Sequence, residues 1–197
     1  MSSDGRLYDR RSMMRRVAPL AGAAWVAPSV LSLNPVSAAT GSPPIVVTGD
    51  IAEASLSAGD DLDTGGDWTS NSTIYLFAEN CRILTSSETT DSGDTLPTGT
   101  LICSYLLHFV PVAGSTQRAI GTVTFSGPIL GYDTTNAGLA AGDPDWGVMS
   151  VLYPSGNGFR FLENSDQRDF DYAACFVEVD FRARAPGVDH LRIFVAG

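Results

Sequence analysis

The sequence reads as all-β: an antiparallel two-sheet sandwich of jelly-roll-like type, preceded by a cleavable leader. Three observations predict it. From Ile45 onward the apolar residues recur almost everywhere at period two, as half-buried strands require. Clusters of Gly, Asp, Pro and Ser punctuate these runs, and apolar residues at helical spacing are nearly absent. Nine or so short strands with turn signals between them fit a sandwich or jelly roll better than any α/β scheme.

The predicted strands follow in order. Ile45, Val46 and Val47 open a strand at 45–48, and Ile51 begins a second at 51–56. The turns Gly59-Asp60-Asp61 and Gly65-Gly66-Asp67 lead to a third, 72–78. The loop 84–99 holds seven Thr and Ser between Thr85 and Thr95, with acids at Glu88, Asp91 and Asp94, which suits a mobile or ligand-binding loop. Strands 101–112 and 119–126 flank Gly114-Ser115, and strands 148–153 and 158–162 flank Pro154-Ser155-Gly156-Asn157. In 172–184 Cys175, Val177, Val179 and Phe181 share the core face, while Phe176, Glu178, Asp180 and Arg182 point away. Ala185-Pro186-Gly187 then turns the chain into 188–196, with Leu191, Ile193 and Val195 inward and His190, Arg192 and Phe194 outward. These two runs are expected to form a closing C-terminal hairpin.

Ahead of the strands lies a segment with the character of an address. Asp9-Arg10-Arg11-Ser12-Met13-Met14-Arg15 resembles the twin-arginine export signals of bacteria, and no charge follows Arg16 until Asp50. Val36-Ser37-Ala38-Ala39 offers small residues for a signal peptidase. Residues 1–38 are therefore expected to be a twin-arginine-type signal carrying Arg10 and Arg11, handed to the export machinery and removed, with 39–197 the single mature domain. Pro19, Pro28 and Pro35 make the apolar run a poor permanent membrane helix, so a secreted, unanchored protein is expected.

Removing residues 1–38 takes five arginines and two aspartates, leaving seven basic and twenty acidic residues and a net charge of −13. Such a surface repels phosphate backbones and anionic lipid heads, which argues against nucleic-acid and peripheral membrane binding. Of the three cysteines, export makes one disulfide plausible and leaves one thiol over. All three pairings are open, and the simplest joins Cys81 to Cys103 across neighbouring strands. Cys175 reads as a small buried hydrophobe.

Asp60, Asp61, Asp63 and Asp67 place several carboxylates on one loop, the oxygen-rich chemistry that calcium prefers. Read as an EF-hand from Asp61, the loop fails where Gly65 and Ser72 stand in ligand positions, which leaves an irregular calcium site or a solvated acidic turn. Asp143 and Asp145 form a second, weaker carboxylate pair. No other cofactor motif occurs. His108 and His190 lack a nucleophile-elbow context and read as packed histidines. Glu178 and Asp180, next but one on a strand face, are the best carboxylate pair for glycoside hydrolysis, and equally a solvent-facing strand. Trp68 and Trp146, with Tyr132, Tyr153 and Phe159, fall in or near predicted turns and could stack on sugar rings.

The segments 121–131, 158–163 and 189–194 resemble the C-terminal part of a loosely defined group of bacterial exported all-β proteins, many similar to sorted surface proteins with a C-terminal anchor. The resemblance implies an extracellular role and supplies no catalytic residue. This chain lacks the hydrophobic and basic tail of the anchored members. The expected function is non-catalytic extracellular binding or display, with a glycan or cell-surface ligand as partner. The alternative is a secreted hydrolase acting on glycans.

Overall fold

Two sheets carry the molecule in the computed structural model, which describes residues 45–112, 114–154 and 160–197. The leader, with Arg10 and Arg11, lies outside the described residues. The described residues belong to one compact unit.

The strands are β1 (Ile45–Gly49), β2 (Ile51–Ala54), β3 (Ile74–Ile83), β4 (Glu88–Thr89), β5 (Thr95–Leu96), β6 (Leu101–Phe109), β7 (Ala119–Phe125) and β8 (Ile129–Asp133). After them come a helix, α1 (Asn136–Trp146), and then β9 (Gln167–Asp171), β10 (Phe176–Phe181) and β11 (Asp189–Ala196). One sheet has the order β1-β7-β10-β9, the other β2-β3-β6-β11-β8, and β4 and β5 pair as a small hairpin. The core between the sheets takes alternate residues from both: Val123, Val177, Val179 and Phe181 from the first, Leu76, Tyr105, Leu107 and Ile193 from the second. Period two in the sequence thus becomes one core-facing side per strand, as in β7, where buried and half-buried residues alternate.

The disulfide is Cys81–Cys103, whose residues are paired directly across β3 and β6. Cys175 is free, half-buried and packed against the main core, with its backbone at φ 54°.

Several expectations are corrected. The run 172–184 is not one strand: residues 172–175 turn the chain between β9 and β10. β10 and β11 do not form a hairpin, because β10 pairs with β7 and β9 while β11 pairs with β6 and β8 in the other sheet. The second sheet is not wholly antiparallel, since β2 runs parallel to β3. The run 148–153 makes only an isolated bridge, Leu152 to Asp61. The loop 84–99 contains the β4–β5 hairpin, anchored by buried Leu84 and Leu96.

The sequence reading overlooks the strands β4, β5, β8 and β9, and it overlooks helix α1. Its sequence holds Gly138, Gly142 and Pro144, weak helix formers, so propensity does not predict it. Local capping and tertiary contact supply it instead. The Thr135 hydroxyl accepts from the Gly138 amide, and an Asp91 carboxylate oxygen accepts the amides of Thr134 and Thr135. A side chain at Gly138 would meet Asp91, and one at Gly142 would lie 2.8 Å from the Arg192 guanidinium. Both glycines are needed for close approach to a charged neighbour.

Candidate functional site

The outer face of the five-stranded sheet is buried, contrary to the sequence reading of His190, Arg192 and Phe194 as outward. All three are at most 1% exposed. Leu139 and Trp146 of α1, with Leu62, Val151 and half-buried Trp68, close over Phe77, Leu106 and Phe194. Polar side chains on this face cannot reach bulk water, so they must satisfy one another.

They do so in one connected chain. Arg192 donates from Nε and Nη2 to the two oxygens of Glu79 at 2.7 and 2.8 Å, from Nη2 to Asp143 Oδ1 at 2.9 Å, and from Nη1 to the Leu139 carbonyl. Burial alone would lower the Arg192 pKa, and the charges of Glu79 and Asp143 outweigh it and hold the guanidinium protonated. Glu79 also accepts from the hydroxyls of Ser104 and Tyr153. Asp143 is gripped on its other side by Arg160, which donates Nε to His190 Nδ1 at 2.8 Å. His190 meets His108 at 2.5 Å, and His108 Nε2 lies 2.9 Å from the Trp68 carbonyl.

The direction of the proton chain follows from its ends. A carbonyl only accepts, so His108 carries its proton on Nε2, and its Nδ1 must accept from His190 Nε2. His190 Nδ1 then accepts from Arg160. Both imidazoles are neutral and fully used. Burial chiefly pushes His108 down to about 4 and His190 well below its ordinary value, with the Arg160 charge adding to each. This network fixes the helix to the sheet, and it offers no open face to a substrate.

The accessible candidate is a cleft of about 750 Å³ beside the four-stranded sheet. Glu178 and Asp180 both line it, together with Arg118, Gln167 and Asp169. Register explains the grouping. Glu178 lies directly opposite Asp169, and Asp180 opposite Gln167, in the antiparallel β10–β9 pair. Arg118 clamps Asp180 through Nε and Nη2, both at 2.7 Å, and Arg182 adds a 3.0 Å contact. The Arg118 hydrogen bonds chiefly, with Arg182 assisting against the effect of burial, hold the Asp180 carboxyl down at about 2. Asp166, also on the cleft wall, is pushed up by burial, although its two oxygens accept the amides of Glu163 and Arg182.

The other sequence candidates lie elsewhere. In the acidic loop the carboxylates serve the backbone: Asp60 accepts from the Ser57 amide and the Trp68 indole, Asp61 from the Asp63 amide, Asp63 from the Thr64 amide and Asp67 from the Asp61 amide. Among the described residues no group of three or more His, Cys, Asp or Glu side chains is placed to hold a metal ion. Trp146 is 2% exposed, with Arg82 over its ring at 4.1 Å, and so is no platform for a sugar. Trp68 packs edge-on against Tyr75 and Phe77. Tyr132 lines the cleft but stacks on Phe170. Phe159 lies outside the described residues. Among the described residues no helix is long and apolar enough to cross a membrane.

Sequence reasoning found Glu178 and Asp180 by their spacing and missed Arg118, Gln167 and Asp169, which only strand register brings beside them. No protein-family model, curated protein or solved structure matches this chain.

Proposed function

We propose that this protein is exported through a twin-arginine leader, loses residues 1–38 and acts outside the cell as a non-catalytic binding protein. The chain changes sheets from β1 to β2, from β6 to β7, β7 to β8 and β8 to β9, and from β10 to β11, which supports a jelly-roll-like reading of the sandwich. The ligand is a glycan, held in the cleft on the four-stranded sheet. The observation that carries this reading is the cleft's lining: planar hydrogen-bonding groups from Gln167 and Asp169 of β9, Glu178 of β10 and Arg118 just ahead of β7. Amide and carboxylate planes each present two polar atoms to a pair of adjacent hydroxyls, and the Arg118 guanidinium keeps Nη1 outside its clamp on Asp180. Two features favour binding over hydrolysis. Asp180 is locked as an anion by two arginines and is a poor proton donor near neutral pH. Asp166 spends both oxygens on backbone amides.

A glycan array probed with the mature protein tests the reading, with Glu178→Gln and Arg118→Ala as controls. Retention of a defined glycan that both substitutions abolish supports it, and a blank array removes it. A second reading, a glycan hydrolase, is favoured by one fact: the same cleft holds one carboxyl driven down and another driven up, the pattern that separates acid from base. A reducing-end assay on the retained glycan decides between the two. Intact-mass analysis of protein from the culture medium tests loss of the leader.

A further inference from the structure

We propose that Asp189 and the turn 163–166 form a proton-operated latch on the cleft of the four-stranded sheet: a neutral Asp189 lets the turn close and keeps the β9 wall in place, and an ionised one drives the turn away and releases the glycan. The inference rests on the cleft being the binding site, as assigned above.

Asp189 opens β11 on its core-facing side, the side of Leu191, Ile193 and Val195. It is 2% exposed, and its Oδ2 is buried with no partner among the described residues. An anion there has neither water nor a donor for that oxygen, so the position suits the neutral acid. The charges that bear on it, from Asp166 and Glu163, are both negative. The cations around it are committed elsewhere. Arg118 and Arg182 hold Asp180, which itself repels Asp166, and Arg184 donates to the Gly114 carbonyl. Phe109 of β6, opposite Asp189, carries no charge, and His190 points to the other face of the sheet, where it meets His108 and Arg160.

The turn is built around Asp166. Its amide donates to the Glu163 carbonyl, its Oδ2 accepts the Glu163 amide, and its Oδ1 accepts the Arg182 amide just past β10. Glu163, Asn164 and Ser165 are exposed, whereas Asp166 is 7% exposed and lines the cleft. Gln167 and Asp169, which follow it directly in β9, supply that wall's hydrogen-bonding groups. One residue therefore bears on both the orphaned carboxyl and the ligand's wall.

Sheet order decides which side yields. β11 lies between β6 and β8, while β9 is an edge strand paired to β10 alone. Repulsion from an ionised Asp189 is relieved by moving the turn and the start of β9, since the alternative breaks an interior strand. Burial first, then the two neighbouring charges, place the ionisation at about 8. The wall is in place below that pH and gives way above it.

The test is a series of ¹H–¹⁵N spectra of the mature protein from about pH 6 to about pH 10, a span that brackets the ionisation. The amides of Glu163, Asp166, Gln167 and Asp169 are expected to share one midpoint near 8. Asp189→Asn, neutral and of the same shape, should abolish it. Glu163→Gln, at an exposed turn position, removes one facing charge and should lower the midpoint. Affinity for the glycan retained on the array should fall about tenfold by about pH 9, where roughly one molecule in ten keeps the proton, and should stay constant in Asp189→Asn. A flat titration, a midpoint that survives Asp189→Asn, or pH-independent affinity would overturn the latch and leave glycan binding standing. A blank array removes the cleft assignment and this regulation with it.

Discussion

His108 and His190 face each other across neighbouring strands, Nδ1 to Nε2 at 2.5 Å, with Arg160 donating to the far side of His190. Every ring nitrogen is thereby assigned. A proton added to either ring would set two N–H groups against each other inside a closed layer.

The first prediction concerns this pair in acid. Each imidazole is held below its ordinary pKa of about 6.5, so the unfolded chain binds more protons between about pH 6.5 and 4. Their contribution to stability is present above about pH 6.5 and declines as pH falls, by up to about 1.4 kcal/mol per pH unit for each ring. Long-range ¹H–¹⁵N spectra should show both rings neutral, protonated on Nε2, at pH 6. A cationic pattern from either one at that pH would contradict the assignment.

Asp189 sets the opposite limb. It is 2% exposed, its Oδ2 has no partner among the described residues, and burial first, then the charges of Asp166 and Glu163, push its carboxyl up to about 8. The native state therefore keeps a proton that the unfolded chain releases near pH 3.9, and stability from this group falls as pH rises from about 4 to 8. Combined with the histidines, these shifts place the stability maximum near pH 6.5. Asp189→Asn should flatten the alkaline decline in melting temperature, and an unchanged profile would refute the role.

The buried Glu79–Arg192 pair should behave as a unit. Both side chains are fully shielded, so removing Arg192 leaves Glu79 without a cation, at a cost of about 3–5 kcal/mol, whereas removing Glu79 leaves Arg192 with Asp143 and costs less. Replacing both by apolar residues should cost less than the sum of the single changes. Urea denaturation of Glu79→Leu, Arg192→Met and the double variant measures the coupling, and simple additivity would exclude it.

Loss of the Cys81–Cys103 bridge should destabilise without altering the core pattern. The bridge spans 22 positions, for which loop closure predicts a loss of about 3 kcal/mol on reduction or double substitution to Ala. The urea midpoint with and without reductant reads it. Equal midpoints would show that β3–β6 pairing alone holds this region.

Much of the sandwich was legible in the chain. Ala119, Val123 and Phe125 alternate with Ile120, Thr122 and Thr124, and β7 is buried on the first set. Cys81–Cys103 was the simplest of three open pairings, two strands flanking one polar loop, and the β3–β6 register selects it. The helix was not legible, because Gly138, Gly142 and Pro144 oppose it locally and its support comes from Asp91 and Arg192. The C-terminal hairpin was misread for a related reason. A turn sequence such as Ala185-Pro186-Gly187 reverses the chain without stating which sheet receives the next strand.

By itself the sequence determined which face of the alternating runs, such as β7 and β11, is oily enough to lie between two sheets. A period of two is a local property, carried by neighbours along the chain. Only tertiary structure decided the fate of the opposite face. His190, Arg192 and Phe194 would be solvated on an uncovered sheet, and here they are sealed because α1 and the loops around Leu62 and Val151 close over them. The partner that makes Arg192 tolerable there is Glu79, 113 positions away, and no local pattern specifies a neighbour at that distance.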